Sequence, residues 1–139
     1  GEGEPIFANL PNPFYVADFR DYQVVQPNVQ RMDELGAKLL LLEKFRPHVP
    51  LERAMMGIRF SAEFFGVQFH PEADPEGMLI HFSAAKRKKG IIDEHGEAKF
   101  DQMIADLNDP EKIPLTHRTI LPTFLDHAIE VLHLSMVSM

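Results

Sequence analysis

Residues 64 to 82, FFGVQFHPEADPEGMLIHF, pass from an almost unbroken apolar run to helix-start chemistry between Phe69 and Asp74. A continuous apolar run is the pattern of a strand covered on both faces, so Phe64 to Phe69 is expected near the centre of a sheet. Asp74 before Pro75 is an N-cap followed by proline at the first helical position, where its missing N–H costs nothing. A helix is therefore predicted from that point. Met78, Phe82 and Ala85 keep one helical face, and the basic run Lys86 to Lys89 falls where that helix should end, favoured there by the helix dipole.

The segments on either side obey the same local rules. Upstream, GEGEPIFANLPNPF is broken by Pro5, Pro11 and Pro13 and reads as loop with short extended pieces. FYVADFRDYQVVQP places β-branched and aromatic residues around Arg20, Asp21 and Tyr22, which predicts a hairpin of two short strands. A short helix is predicted from about Val29 to Leu35, stopped by Gly36 as a left-handed cap, and AKLLLLEK is expected to follow as a buried strand, with a helix as the alternative. Ala54 to Phe60 is a further strand candidate. Downstream, Phe100, Met103, Ile104 and Leu107 predict a helix after Gly96, and NDPEKIP a turn-rich linker. A second helix is predicted from about Pro122, with Phe124, Leu125, Ala128, Val131, Leu132 and Ser135 on one face. Met78, Met103 and Met136 read as packing residues. Strands in the N-terminal half and helices in the C-terminal half, in one domain, give an α/β or α+β class, strand-rich over 1–73 and helical over 74–139.

Composition removes several functions. A formal charge of −7 and a pI near 5.4 argue against nucleic acid as a partner, since phosphate backbones need a concentrated basic face. No stretch approaches the ~20 apolar residues of a membrane span. With no cysteine, the chain supplies neither a disulfide nor a thiolate ligand or nucleophile. No signal-peptide pattern opens the sequence, so a cytoplasmic location is expected, and Gly1 in place of Met leads us to expect a processed or excised chain.

The chemistry concentrates in His70-Pro71-Glu72. On a strand, residues two apart share a face, so a carboxylate at position 72 could reach the imidazole at position 70, fix its tautomer and stabilise its charged form. Were the strand parallel to its neighbours, the pair would sit at the carboxyl end of the sheet, where open α/β sheets collect functional groups. The plain alternative is a surface histidine with an acid nearby. A metal site built from His70, Glu72, Asp74 and His81 matches no standard ligand spacing, and Asp74 already has a capping role. No metal or cofactor is expected, and His117, His127 and His133 read as ordinary helix-surface or packing residues.

GVQFHPE, together with EPIFANLPNPFYV and VVQPN, resembles the C-terminal part of class I glutamine amidotransferases of the triad type, which include the amidotransferase part of GMP synthase. The resemblance covers about Glu4 to Phe82. It implies a partial flavodoxin-like domain in which His70 is the general base and Glu72 its orienting acid in a Cys-His-Glu triad that hydrolyses the glutamine side-chain amide and releases ammonia. The family's cysteine, its Gly-x-Cys-x-Gly turn and its oxyanion hole would lie upstream. Ser61, Ser83, Ser135 and Ser138 stand in no nucleophile elbow. This chain alone is therefore expected to be inactive, because a triad acts as a unit. The expected partners are glutamine, as substrate of the complete domain, and the N-terminal half of that domain or a synthetase. A homodimer through exposed strand edges is also expected. A second reading is a cysteine-free, non-catalytic interaction module that uses such an edge to bind another chain.

Overall fold

The computed structural model describes residues 3–137 of the 139, with side chains through residue 133. The expectations for Ser135, Met136 and Ser138 lie outside the described side chains. Among the described residues the chain is mixed α/β, 48% helical, with a three-stranded antiparallel sheet and five α-helices. Two compact units are formed, Gly1–Glu4 with Asp18–His70 and Pro5–Ala17 with Pro71–Met139.

The first unit holds the sheet. Helix α1 (Val29–Leu35) is bounded as predicted: Asn28 accepts from the Arg31 N–H at 2.9 Å, and Gly36 takes φ 68°, a value that favours glycine. Strand β1 (Lys38–Leu42) follows at once, then β2 (Met55–Arg59) and β3 (Phe65–Val67), in the spatial order β1-β2-β3. Both pairings are antiparallel, with Lys38 opposite Arg59 and Gly57 opposite Val67. Three expectations are corrected here. The centre of the sheet is β2, whose Met55, Met56 and Gly57 are buried, while β3 is an edge with half-buried residues. β1 is an edge too, half-exposed rather than buried. The predicted hairpin over 14–27 is absent. The Val24 carbonyl instead accepts from the Met55 N–H at 2.8 Å, while Gln68 Nε2 donates to the Tyr22 carbonyl at 2.8 Å. Long-range partners have claimed the backbone groups that a local hairpin would have used.

At the centre of the pairing Gly57 lies opposite Leu41, and a Cβ there would come within 3.1 Å of the Leu41 side chain. The β2–β3 turn is closed by Ser61, whose Oγ accepts from the Phe64 N–H at 3.1 Å, and by stacked Phe60 and Phe64 rings. Beneath it Arg59 donates to both oxygens of buried Glu4, at 2.8 and 2.5 Å, and to the carbonyls of Ser61 and Ala62. One guanidinium thus ties the turn to the beginning of the chain.

The second unit is helical. A single 3-10 turn at Pro5–Phe7 packs against α5, and Thr116 Oγ1 donates to the Tyr15 carbonyl at 2.5 Å. Helix α2 (Pro75–Ser83) starts where predicted, its Asp74 cap accepting from Glu76 and Gly77 N–H. It ends earlier than predicted. Ala84 is extended, and a new helix, α3 (Ala85–His95), carries Lys86 to Lys89 in its first half rather than at the end of α2. Cations near a helix N-terminus are disfavoured by the dipole. Individual partners offset this: Lys88 lies over the Phe100 ring, Lys89 pairs with Asp93, and Arg87 donates to His81.

Gly96, at φ 87°, leads into α4 (Glu97–Asn108), whose Phe100 and Leu107 are buried with Phe82, Ile113 and Ala17, and whose Met103 and Ile104 pack around them. Met78 joins the same cluster, so both described methionines of the packing expectation pack against the core. Helix α5 (Ile113–Val137) begins nine residues before the predicted start, and Pro122 lies within it. Its actual N-terminus is set by Asp109, which accepts from the Glu111 and Lys112 N–H groups, and Pro114 falls in the first turn where proline is harmless. Buried Ile113, Thr116 and Ile120 form its packed face. The predicted apolar face farther along is largely solvent-facing, with Leu125 and Leu132 56% and 64% exposed. No helix among the described residues is long and apolar enough to cross a membrane.

Candidate functional site

His70 is the last residue of the sheet unit, and its position follows from two anchors. Strand β3 stops at Val67, after which the Gln68 N–H donates to the Met56 carbonyl at 3.1 Å and the Gln68 side chain holds the segment around Tyr22 to Val24. Phe69 then turns inward, 4% exposed, and leaves His70 exposed beside it. The imidazole packs against Phe19 at a centroid distance of 5.8 Å.

Around Phe19 stands a charged network that the sequence did not announce. Arg20 pairs with Asp18 at 3.0 Å through Nη1 and with Glu43 at 2.8 Å through Nη2, and Arg46 reaches the same Glu43 oxygen at 2.7 Å. Arg20 Nη1 also lies 2.9 Å from Met56 Sδ. Asp18 uses Oδ2 for Arg20, while its buried Oδ1 has no hydrogen-bond partner among the described residues. Burial pushes the Asp18 carboxyl above its ordinary range, and the Glu43 charge adds to that. The Arg20 and His70 charges pull the other way. Asp18 and His70 are therefore electrostatically linked across positions far apart in the chain.

The other sequence candidates have definite places. Glu72 is exposed, in a turn with Pro71, and belongs to the helical unit, so His70 and Glu72 are divided between the two units. Because β3 ends before position 70, strand alternation does not apply to the pair. Asp74 is committed to capping α2, and His81 accepts from Arg87 Nε at 3.0 Å. Among the described residues no group of three or more His, Cys, Asp or Glu side chains is arranged to hold a metal ion. Ser61 is occupied in its turn, donating to Glu63 and accepting from two N–H groups, and Ser83 is exposed at the end of α2. A hollow of about 40 Å³ beside Glu43, Phe45, Val49 and Leu51 has room for water but not for an amino-acid ligand.

Asp18, Arg20 and Glu43 were missed because the stretch ADFRDY reads as a turn between strands. The available signal was the acid-aromatic-base triplet Asp18-Phe19-Arg20, which is informative only once the end of β1, with Glu43, is known to lie nearby. Compared with known families, with curated proteins and with solved structures, the chain matches none.

Proposed function

We propose that this chain is the C-terminal portion of a class I glutamine amidotransferase, a partial flavodoxin-like domain in which His70 is the general base and Glu72 its orienting acid. The observation that carries the reading is the placement of His70: just beyond a strand end, exposed, and packed against Phe19. A base needs such access to a substrate proton with its ring held in place. The sheet unit also exposes Phe19, Tyr22, Phe45, Leu51 and Phe64, a density of large apolar side chains that suits a surface covered by further chain.

Glutamine is the substrate of the complete domain, whose thiolate attacks the side-chain amide while His70 manages the proton. The isolated 139 residues should show no glutamine hydrolysis. The complete protein, bearing a Gly-x-Cys-x-Gly turn, should release ammonia from glutamine, and His70→Asn should reduce that rate by at least about a thousandfold. Robust turnover by the isolated chain, or an active complete protein indifferent to His70→Asn, would refute the assignment.

A second reading, a non-catalytic interaction module, is favoured by the lack of cysteine and by the engagement of Ser61 in its turn. In either case the outer edges of β1 and β3 are the surfaces through which two copies would pair as a two-fold dimer, which light scattering tests.

A further inference from the structure

We infer that the outer face of α3 is a self-association surface on which a second copy of this chain docks, the two helices crossing antiparallel at Gly90. The inference goes beyond the amidotransferase reading and does not depend on it.

Helix α3 has two sides. Ile91 and Ile92 pack against the core of the helical unit, and Lys88 lies over the Phe100 ring. With about 3.6 residues per turn, Lys86, Arg87, Gly90, Asp93 and Glu94 fall on the opposite side, and all five are exposed. Gly90 stands where two rows of that surface cross, Lys86-Gly90-Glu94 at spacing four and Arg87-Gly90-Asp93 at spacing three. Nothing within the described chain calls for a glycine there. It lies in the interior of an 11-residue helix, where glycine is less favourable than alanine, and a Cβ built on it meets nothing within 4 Å.

Nor do the charges of this face serve their own helix. Cations occupy its N-terminal half and Asp93 and Glu94 its C-terminal end, and the helix dipole opposes both placements. Lys89 pairs with Asp93, but with the cation first, the less favourable order at that spacing. Among the described residues Lys86 and Arg87 have no carboxylate partner, and Arg87 and Glu94 meet only the imidazoles of His81 and His95. Lys86 and Glu94 stand about 12 Å apart along the axis, and Arg87 and Asp93 about 9 Å, too far to pair within one helix.

A second copy supplies the missing partners. Two antiparallel helices related by a two-fold axis at Gly90 set Lys86 against Glu94 of the second copy and Arg87 against its Asp93, each pair formed twice. The stretch KRKKGIIDE is complementary to its own reverse at its first two and last two positions. Each cationic N-terminal half then lies beside the negative end of the other dipole, which removes the conflict. The glycines let the backbones approach closely enough for these side chains to meet. Exposed ion pairs contribute little each, so the dimer is weak, reversible and salt-sensitive.

The test is sedimentation velocity of the 139-residue chain over a concentration series. A concentration-dependent dimer is expected at about 50 mM salt, with an association constant at least about tenfold lower at about 500 mM. Lys86→Glu with Arg87→Glu makes the face uniformly acidic, Asp93→Lys with Glu94→Lys makes it uniformly basic, and each double variant should associate at least about tenfold more weakly. Mixed in equal amounts, the two should form a heterodimer, because all four contacts are again of opposite sign. Gly90→Leu should weaken association to a similar degree while leaving the melting temperature unchanged or higher, a combination that damage to the fold does not give. Circular dichroism establishes that each variant keeps its helices. A monomer at every concentration, whether or not it binds heparin, overturns the proposal and leaves the face to another occupant. A dimer indifferent to the charge reversals, as strand-edge pairing would be, or reversed variants that fail to associate when mixed, overturns it equally.

Discussion

Replacing Glu4 by glutamine should loosen the β2–β3 hairpin selectively. Glu4 is 8% exposed and accepts two charge-assisted hydrogen bonds from Arg59, at 2.8 and 2.5 Å. Breaking a buried ion pair by removing one partner typically costs about 3–5 kcal/mol, mostly because a charge is left buried alone. Here the remaining guanidinium is 22% exposed at its side chain and keeps the Ser61 and Ala62 carbonyls and the Phe65 ring face. Glutamine also retains one acceptor oxygen. The expected loss is therefore lower, about 2 kcal/mol, with about 3 for Glu4→Ala, which keeps no acceptor. Hydrogen exchange is the suitable assay, since it reads each unit separately. A loss of 2 kcal/mol accelerates exchange at protected β2 amides such as Met55 and Ile58 by roughly thirtyfold, while α4 amides such as Ile104 should change little. Exchange at Met55 and Ile58 within threefold of the parent would show that the Arg59 clamp contributes nothing net. A double-mutant cycle with Arg59→Lys should return a coupling of at least about 1 kcal/mol.

Asp18 has its carboxyl midpoint raised above 3.8, mainly by burial, so the folded chain binds a proton that the unfolded chain has already released. Stability should therefore rise as pH falls from above the folded midpoint towards 3.8, and Asp18→Asn should remove that component from a pH series of urea midpoints. Asp74→Ala removes the acceptor for the Glu76 and Gly77 N–H groups and should cost about 1 kcal/mol in thermal unfolding followed by circular dichroism, with Asp74→Ser restoring most of it. Ile120→Ala, at a site only 2% exposed, should cost about 3 kcal/mol, whereas Leu125→Glu on the outer part of the same helix should stay within about 0.5 kcal/mol. Pro122→Ala supplies an N–H for the Arg118 carbonyl and should raise the melting temperature; an unchanged or lower value would mean that α5 is not continuous there.

The features legible in the sequence are those decided within about one helical turn. Gly36 had to cap α1 because its left-handed φ disfavours other residues, and Asp74-Pro75 had to start α2 because both side chains suit a helix N-terminus. The periodicity of Phe100 to Leu107 marked the face that α4 buries, and the positions of β2 and β3 followed from their apolar runs. His70 stood out for the same local reason, a histidine set between a strand and a proline. Tertiary structure alone decided which strand is central, since an apolar run shows burial without naming the neighbour that supplies it. It also decided that residues 14–27 donate and accept across the chain instead of pairing with themselves, and that α5 begins at Ile113, where packing of Ile113, Thr116 and Ile120 outweighs the helix-start signal at Pro122. The Asp18–Arg20–Glu43 network belongs to the same class. Its members, Asp18 and Arg20 on an irregular segment and Glu43 just beyond β1, meet only through tertiary packing, and the burial that raises the Asp18 carboxyl arises with that packing.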